Sequence, residues 1–124
     1  MKLYIAIILS FISSSVYAGD TQNEIEHLLS YIENSACSFE RNGRVHTGKE
    51  AVRHIRNKFD YYKDEINNAE KFIELSASKS KLSGRYYMIK CGNSEKMKNQ
   101  KWLLEELMEY RKLKNVEMKT NSKK

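Results

Sequence analysis

Apolar side chains recur at helical spacing in four segments, and each predicts a helix with one buried face. The first covers residues 20–36 and opens with a capping box at Thr21 and Glu24. The second begins after Thr47, and the third and fourth cover residues 69–77 and 99–114. The predicted buried positions are Ile25, Leu28, Leu29, Ile32, Val52, Ile55, Phe59, Tyr62, Ile66, Phe72, Ile73, Trp102, Leu103, Leu107 and Tyr110.

Two segments show strand patterns. Residues 36–47 predict a β-hairpin, because Asn42-Gly43 is a two-residue turn in which both positions take positive φ. This turn places Arg41 opposite Arg44 and Phe39 opposite His46. Residues 85–91 alternate and predict a third strand.

The first eighteen residues predict a secretory signal peptide. Lys2 precedes an apolar run over residues 3–12, and Val16-Tyr17-Ala18 provides small residues for cleavage after Ala18. The run is too short for a membrane span of about 20 apolar residues, and no second run follows. An uncleaved anchor is the alternative. We therefore expect a signal peptide at 1–18, a single domain at 19–114 and a flexible basic tail at 115–124.

Cys37 and Cys91 both lie in the exported part. In an oxidising compartment an isolated pair of cysteines usually forms a disulfide, which here would set the strand at 85–91 beside the hairpin. The predicted fold is therefore α+β, with a small three-stranded antiparallel sheet (hairpin 36–47 plus strand 85–91) packed against about four helices. A metal or redox pair is the alternative for the cysteines, although they lack CxxC spacing.

The chain carries a net charge of +6, and removal of Lys2 with the signal peptide lowers this by one. A basic surface favours an acidic partner, such as an acidic protein, a polysaccharide or an anionic lipid surface, although it can also serve solubility alone. Nucleic acid is not the favoured partner, because the basic residues are spread along the chain.

The densest polar cluster is the hairpin. Arg41 and Arg44 are neighbours across the strands and can clamp a carboxylate, sulfate or phosphate; a solvated hairpin tip is the alternative. His46 and His54 meet if the second helix packs on the hairpin. Two histidines do not complete a metal site, and a pairing of Cys37 with His46 in catalysis requires a free thiol. We therefore predict no metal, no cofactor and no catalytic residue.

Several short motifs resemble, in their order and spacing, the YfeK-like family of uncharacterised exported bacterial proteins. The matching positions are Arg41-Asn42-Gly43, His46, Ala51, His54, Lys58, the run 69–73, Ser78, Ser80, Ser83-Gly84 and Tyr87. Tyr86 departs from the family pattern, which has Pro there. The resemblance implies a periplasmic address and no activity. It directs attention to Arg41, Asn42, His46, His54, Ser83 and Tyr87, of which Asn42 is already explained as a turn residue.

The sequence thus favours a non-catalytic periplasmic binding or interaction module for an acidic envelope partner. The candidate binding residues are Arg41, Arg44, His46, His54 and Tyr87. The alternative is a small cell-envelope hydrolase that uses His46 or His54 as its base, which requires that base to lie in a concave pocket. A third reading is a structural envelope protein with no ligand.

Overall fold

A computed structural model describes the backbone of residues 15–123 and the side chains of residues 20–123. Most of the predicted signal peptide, residues 1–14, lies outside the described residues. The described chain forms four α-helices, a short 3₁₀ helix and four strands. In chain order they are α1 (Ser15–Asn34), β1 (Ser38–Arg41), β2 (Arg44–His46), α2 (Gly48–Tyr61), the 3₁₀ helix (Lys63–Glu65), α3 (Ala69–Ser76), β3 (Met88–Lys90), β4 (Met97–Lys98) and α4 (Asn99–Asn121).

Helix α1 begins earlier than its sequence predicts. It includes Ser15 and runs through Ala18, and Thr21 lies inside the helix. The prediction of a capping box at Thr21 is therefore wrong. Residues 15–20 contain no proline, and Gly19 costs a helix only about 1 kcal/mol. The predicted inner face is confirmed: Ile25, Leu28, Leu29 and Ile32 are buried.

The β1–β2 hairpin forms as predicted. Asn42 and Gly43 have φ values of 51° and 80°, which is the conformation that the Asn-Gly turn requires. The register pairs Arg41 with Arg44 and Phe39 with His46.

The sheet has four strands in the order β2-β1-β3-β4, all antiparallel, so the prediction of three strands is wrong. The additional strand, β4, pairs Lys98 with Met88 and Met97 with Ile89. Strand β3 is also shorter than the predicted strand 85–91. Tyr86 pairs instead with Lys79, and the Tyr87 N–H donates to the Ser78 carbonyl, so both residues bond to the loop after α3.

A disulfide joins Cys37 to Cys91 across 54 residues, as predicted. Cys37 precedes β1 and Cys91 follows β3, and the two strands pair in antiparallel register between them. The crosslink therefore closes the end of the β1–β3 ladder that lies away from the hairpin turn.

Helix α2 starts at a complete capping box. The Thr47 side chain accepts from the Glu50 N–H, and the Glu50 carboxylate accepts from the Thr47 N–H. Gly48 allows this helix to approach α1 closely, because a Cβ at Gly48 would lie 2.3 Å from the Ile32 carbonyl oxygen. Helix α3 starts at Ala69, and Asn68 caps it by accepting from the Lys71 N–H.

The core lies between the helices and one face of the sheet. Phe39 and Ile89 pair across β1 and β3 and are buried, whereas the adjacent Ser38 and Lys90 are exposed. Helix α4 is fastened to the other helices by Arg111, whose guanidinium pairs with Glu24 of α1 and Glu70 of α3.

Helix α4 continues to Asn121, beyond the predicted end at residue 114, and residues 112–123 are exposed. The division into a domain at 19–114 and a tail at 115–124 stays a prediction. None of the helices in the described part of the chain is long and apolar enough to cross a membrane.

Candidate functional site

A pocket opens between the hairpin and α2 and has a volume of about 30 Å³. Four of the five predicted binding residues line it, and the fifth, Arg44, does not. The lining residues are Phe39, Glu40, Arg41, His46, Glu50, Ala51, His54, Ile55, Tyr87 and Asn99. The structure thus brings Arg41, both candidate histidines and Tyr87 to one concavity, which we name the hairpin pocket.

Helix α2 and the residue before β3 together position the polar wall of the hairpin pocket. His54 Nε2 lies 3.1 Å from the Tyr87 hydroxyl, and Lys58 Nζ donates to the same hydroxyl at 3.1 Å. Lys58 also donates to the Lys79 carbonyl at 2.8 Å, which ties α2 to the loop after α3. Because His54 and Lys58 are one helical turn apart, both reach the single phenol.

The protonation states of this wall follow from its surroundings. Burial, followed by the charges of Arg41, Lys58 and His46, lowers the pKa of His54 to about 4, so its imidazole is neutral at pH 7. Burial raises the pKa of Tyr87, which therefore keeps its proton. The Tyr87 hydroxyl accepts from Lys58 and donates to His54 Nε2, which leaves the hydrogen of the His54 ring on Nδ1.

Arg41 makes no ion pair and no side-chain hydrogen bond with any residue in the described part of the chain. It nevertheless acts on the pKa values of His54, Lys58 and Tyr87. Its neighbour Arg44 is exposed at the turn. The two arginines are register partners, but they meet different surroundings.

Two carboxylates of the pocket already have partners. Glu40 pairs with Lys96, and Glu50 bonds to Thr47 and to His46 Nδ1, the latter at 3.4 Å. The hydrogen bonds from Thr47, then the one from His46, lower the pKa of Glu50, so this side chain is an anion at neutral pH. Two other side-chain atoms of pocket residues, His46 Nε2 and Asn99 Oδ1, are buried with no hydrogen-bond partner among the described residues.

Asn42 and Ser83 lie beside the pocket and bond to each other. The Ser83 hydroxyl donates to Asn42 Oδ1 at 2.7 Å, and Asn42 Nδ2 donates to the Ser80 hydroxyl at 3.4 Å. This network fastens the hairpin turn to the loop after α3. These bonds explain Asn42 and Ser83 as residues that position the hairpin turn, and this role requires no ligand.

Asn99 lines the pocket and was not predicted as a site residue, and neither was Lys58, which bonds to Tyr87. The spacing of Lys58 from His54 on one helix face was the available signal, but its partner Tyr87 lies 29 residues further along the chain. Over the described residues, no group of three or more His, Cys, Asp or Glu side chains is placed to hold a metal ion.

Comparisons with known proteins place this chain among proteins of unknown function. Residues 19–111 match the model of the family of unknown function DUF5329. A 50-residue stretch is 42% identical to the uncharacterised protein YfeK of Salmonella typhimurium strain LT2, covering 40% of this chain and 42% of that protein. The match therefore spans less than half the length of the curated relative. No solved structure matches.

Proposed function

Because the chain belongs to the DUF5329 family, whose function is unknown, we infer its role from its own site. We propose that it is a non-catalytic binding module that takes an acidic group of a cell-envelope partner into the hairpin pocket. Arg41 supplies the main charge for this group, and Tyr87 and His54 form the wall beside it, with Lys58 bonded to the Tyr87 hydroxyl.

The observation that carries this proposal is that Arg41 lines the pocket without an ion-pair or hydrogen-bond partner among the described residues. After burial, which lowers both pKa values most, the pKa of His54 is lowered by Arg41, Lys58 and His46, and that of Lys58 by Arg41 and Lys81. A bound anion would relieve this repulsion and would give Arg41 the partner that it lacks. Charge-assisted hydrogen bonds from a guanidinium to a carboxylate are among the stronger ones in proteins.

The address is the periplasm, reached after cleavage at Ala18. Three findings support this address. The Cys37–Cys91 disulfide is of a kind that persists in oxidising compartments, the family match begins at residue 19, and the chain has the apolar segment of a signal peptide.

The pocket is tested by comparing Arg41→Gln with Arg44→Gln. The two residues are register partners on the same hairpin, so each variant removes one charge from the same end of the hairpin. Binding of polyglutamate, of an acidic polysaccharide and of vesicles containing phosphatidylglycerol is measured by calorimetry. For whichever probe binds, we expect Arg41→Gln to weaken affinity by about tenfold or more and Arg44→Gln by less than about threefold.

Equal losses of affinity in both variants would indicate that the binding site is the hairpin tip. Unchanged affinity of the Arg41→Gln protein would show that the pocket is not the binding site. A third variant, His54→Gln, tests the hydrolase alternative. His54 is neutral, as a base must be, but its Nε2 is occupied by Tyr87, and no Ser, Thr or Cys lines the pocket. Cleavage of an envelope polymer that is lost in His54→Gln would replace the binding proposal with an enzymatic one.

A further inference from the structure

The hairpin pocket contains hydrogen-bond acceptors as well as cations. His46 Nδ1 faces the Glu50 carboxylate, which is ionised and can only accept. His46 Nδ1 must therefore carry a ring hydrogen, and in the neutral imidazole His46 Nε2 is then an acceptor. That nitrogen is buried and has no partner among the described residues.

Asn99 supplies a second acceptor without a partner. Its Nδ2 donates to the Ala77 carbonyl at 2.9 Å, and this contact fixes the orientation of the amide. The opposite atom, Oδ1, is buried without a partner, and the residue is only 1% exposed. Buried acceptors of this kind are rare, because losing water without gaining a hydrogen bond costs about 1–3 kcal/mol.

Arg41 and His54 line the pocket, and their free donors are the guanidinium and, with Nε2 bonded to Tyr87, the remaining ring N–H. The pocket thus combines two donors that suit an anionic oxygen with two acceptors that need an N–H or an O–H. A simple carboxylate or phosphate ion would satisfy the donors and leave both acceptors without partners.

The size of the pocket limits what can enter it. Its volume of about 30 Å³ exceeds the roughly 10–15 Å³ that one water molecule needs, so it can hold a small polar end group, and the rest of a larger ligand would lie outside.

Resting on the proposed anion binding, we propose that the end group recognised by the hairpin pocket is a carboxylate whose adjacent carbon bears an N–H or O–H donor. The carboxylate bonds to Arg41 and His54, and the adjacent donor bonds to His46 Nε2 or Asn99 Oδ1. The C-terminal residue of a peptide, a free α-amino acid and an α-hydroxy acid all present this group.

The test compares four small carboxylates by NMR titration of the full-length mature protein. Propionate has no adjacent donor, whereas lactate, alanine and N-acetylalanine carry an O–H, an ammonium and an amide N–H respectively. We expect at least one of these three to bind about tenfold more tightly than propionate, and the preferred one identifies the source of the end group. The Arg41→Gln substitution should weaken all four.

His46→Phe removes the acceptor and keeps a flat ring of similar size. We expect it to reduce the preference over propionate to less than about threefold. Asn99→Leu is the second variant, with circular dichroism to confirm that this buried substitution still folds.

Two results separate this inference from the proposed function. If all four ligands bind equally and depend on Arg41, the adjacent donor is irrelevant and only this inference fails. If none of them binds and no acidic polymer binds either, the proposed function fails as well.

Discussion

His54 is held without charge by its surroundings, and this has a consequence for stability. The pKa of His54 is about 4 in the folded protein, below its ordinary value of 6.5, chiefly because the ring is partly buried. Between these two values the unfolded chain binds a proton that the folded chain does not. The free energy of unfolding must therefore fall as the pH drops from about 6.5 towards 4.

We predict that His54→Gln reduces this loss. Urea unfolding of the wild type and the variant at pH 7 and at pH 4.5 gives the drop in unfolding free energy for each protein. The drop should be smaller in His54→Gln, because the variant lacks the group that titrates. Asn57→Gln, on an exposed position of the same helix, is the control and should behave as the wild type. Equal drops in all three proteins would mean that His54 is not held uncharged.

Arg41 and Arg44 show what a sequence can predict about single residues. The Asn-Gly turn determines the register, so the pairing of the two arginines was predictable from residues 41–44 alone. Their difference in surroundings was not, because it depends on how far the packing of α2 extends along the hairpin. Arg41 is covered at the pocket, while Arg44 stays in solvent.

At the scale of elements, α2 forms one wall of the pocket. Its start at Thr47 and its inner face were predictable, because capping boxes and apolar periodicity are local signals. The bonds of Lys58 to Tyr87 and to the Lys79 carbonyl were not, because they join segments that the sequence does not relate to each other. The residues missed at this site are thus those whose role depends on tertiary contacts.

The disulfide joins the ends of β1 and β3, and we predict that it stabilises the fold strongly. In the chain-entropy account, a crosslink spanning 54 residues contributes about 4 kcal/mol to the unfolding free energy. The double variant Cys37→Ser/Cys91→Ser should therefore unfold at a much lower urea concentration. Wild-type protein unfolded in the presence of a reductant is the matched control and should agree with the variant. A midpoint equal to that of the oxidised wild type would contradict a stabilising role.

At the scale of the whole molecule, the proposal requires export. We predict that the protein isolated from the periplasm of an expressing Gram-negative cell begins at Gly19. Its intact mass should be unchanged by alkylation before reduction and should increase by two labels afterwards. Protein that stays with the membrane and retains residues 1–18 would support the uncleaved anchor instead.

The overall architecture was predictable to the level of an α+β fold, because four helical faces and the hairpin have clear periodic patterns. Strand β4 was not predictable, since two residues are too few to show alternation. It forms because the turn that contains Gly92, with a φ of 58°, brings Met97 and Lys98 back along β3. The early start of α1 was not predicted for a different reason. The local capping motif at Thr21 predicts that a helix begins there, whereas the helix continues through this residue.

Strand β4 also affects how the protein behaves in a crowded solution. Long, uncovered sheet edges can add strands from other chains and so promote aggregation. Here β4 covers the outer side of β3, and the two edges of the sheet are strands of only two and three residues. Each edge carries an exposed basic side chain, Lys98 on β4 and Arg44 on β2. The sheet therefore gives another copy of the chain little backbone to pair with, and its edges disfavour self-association at high local concentration.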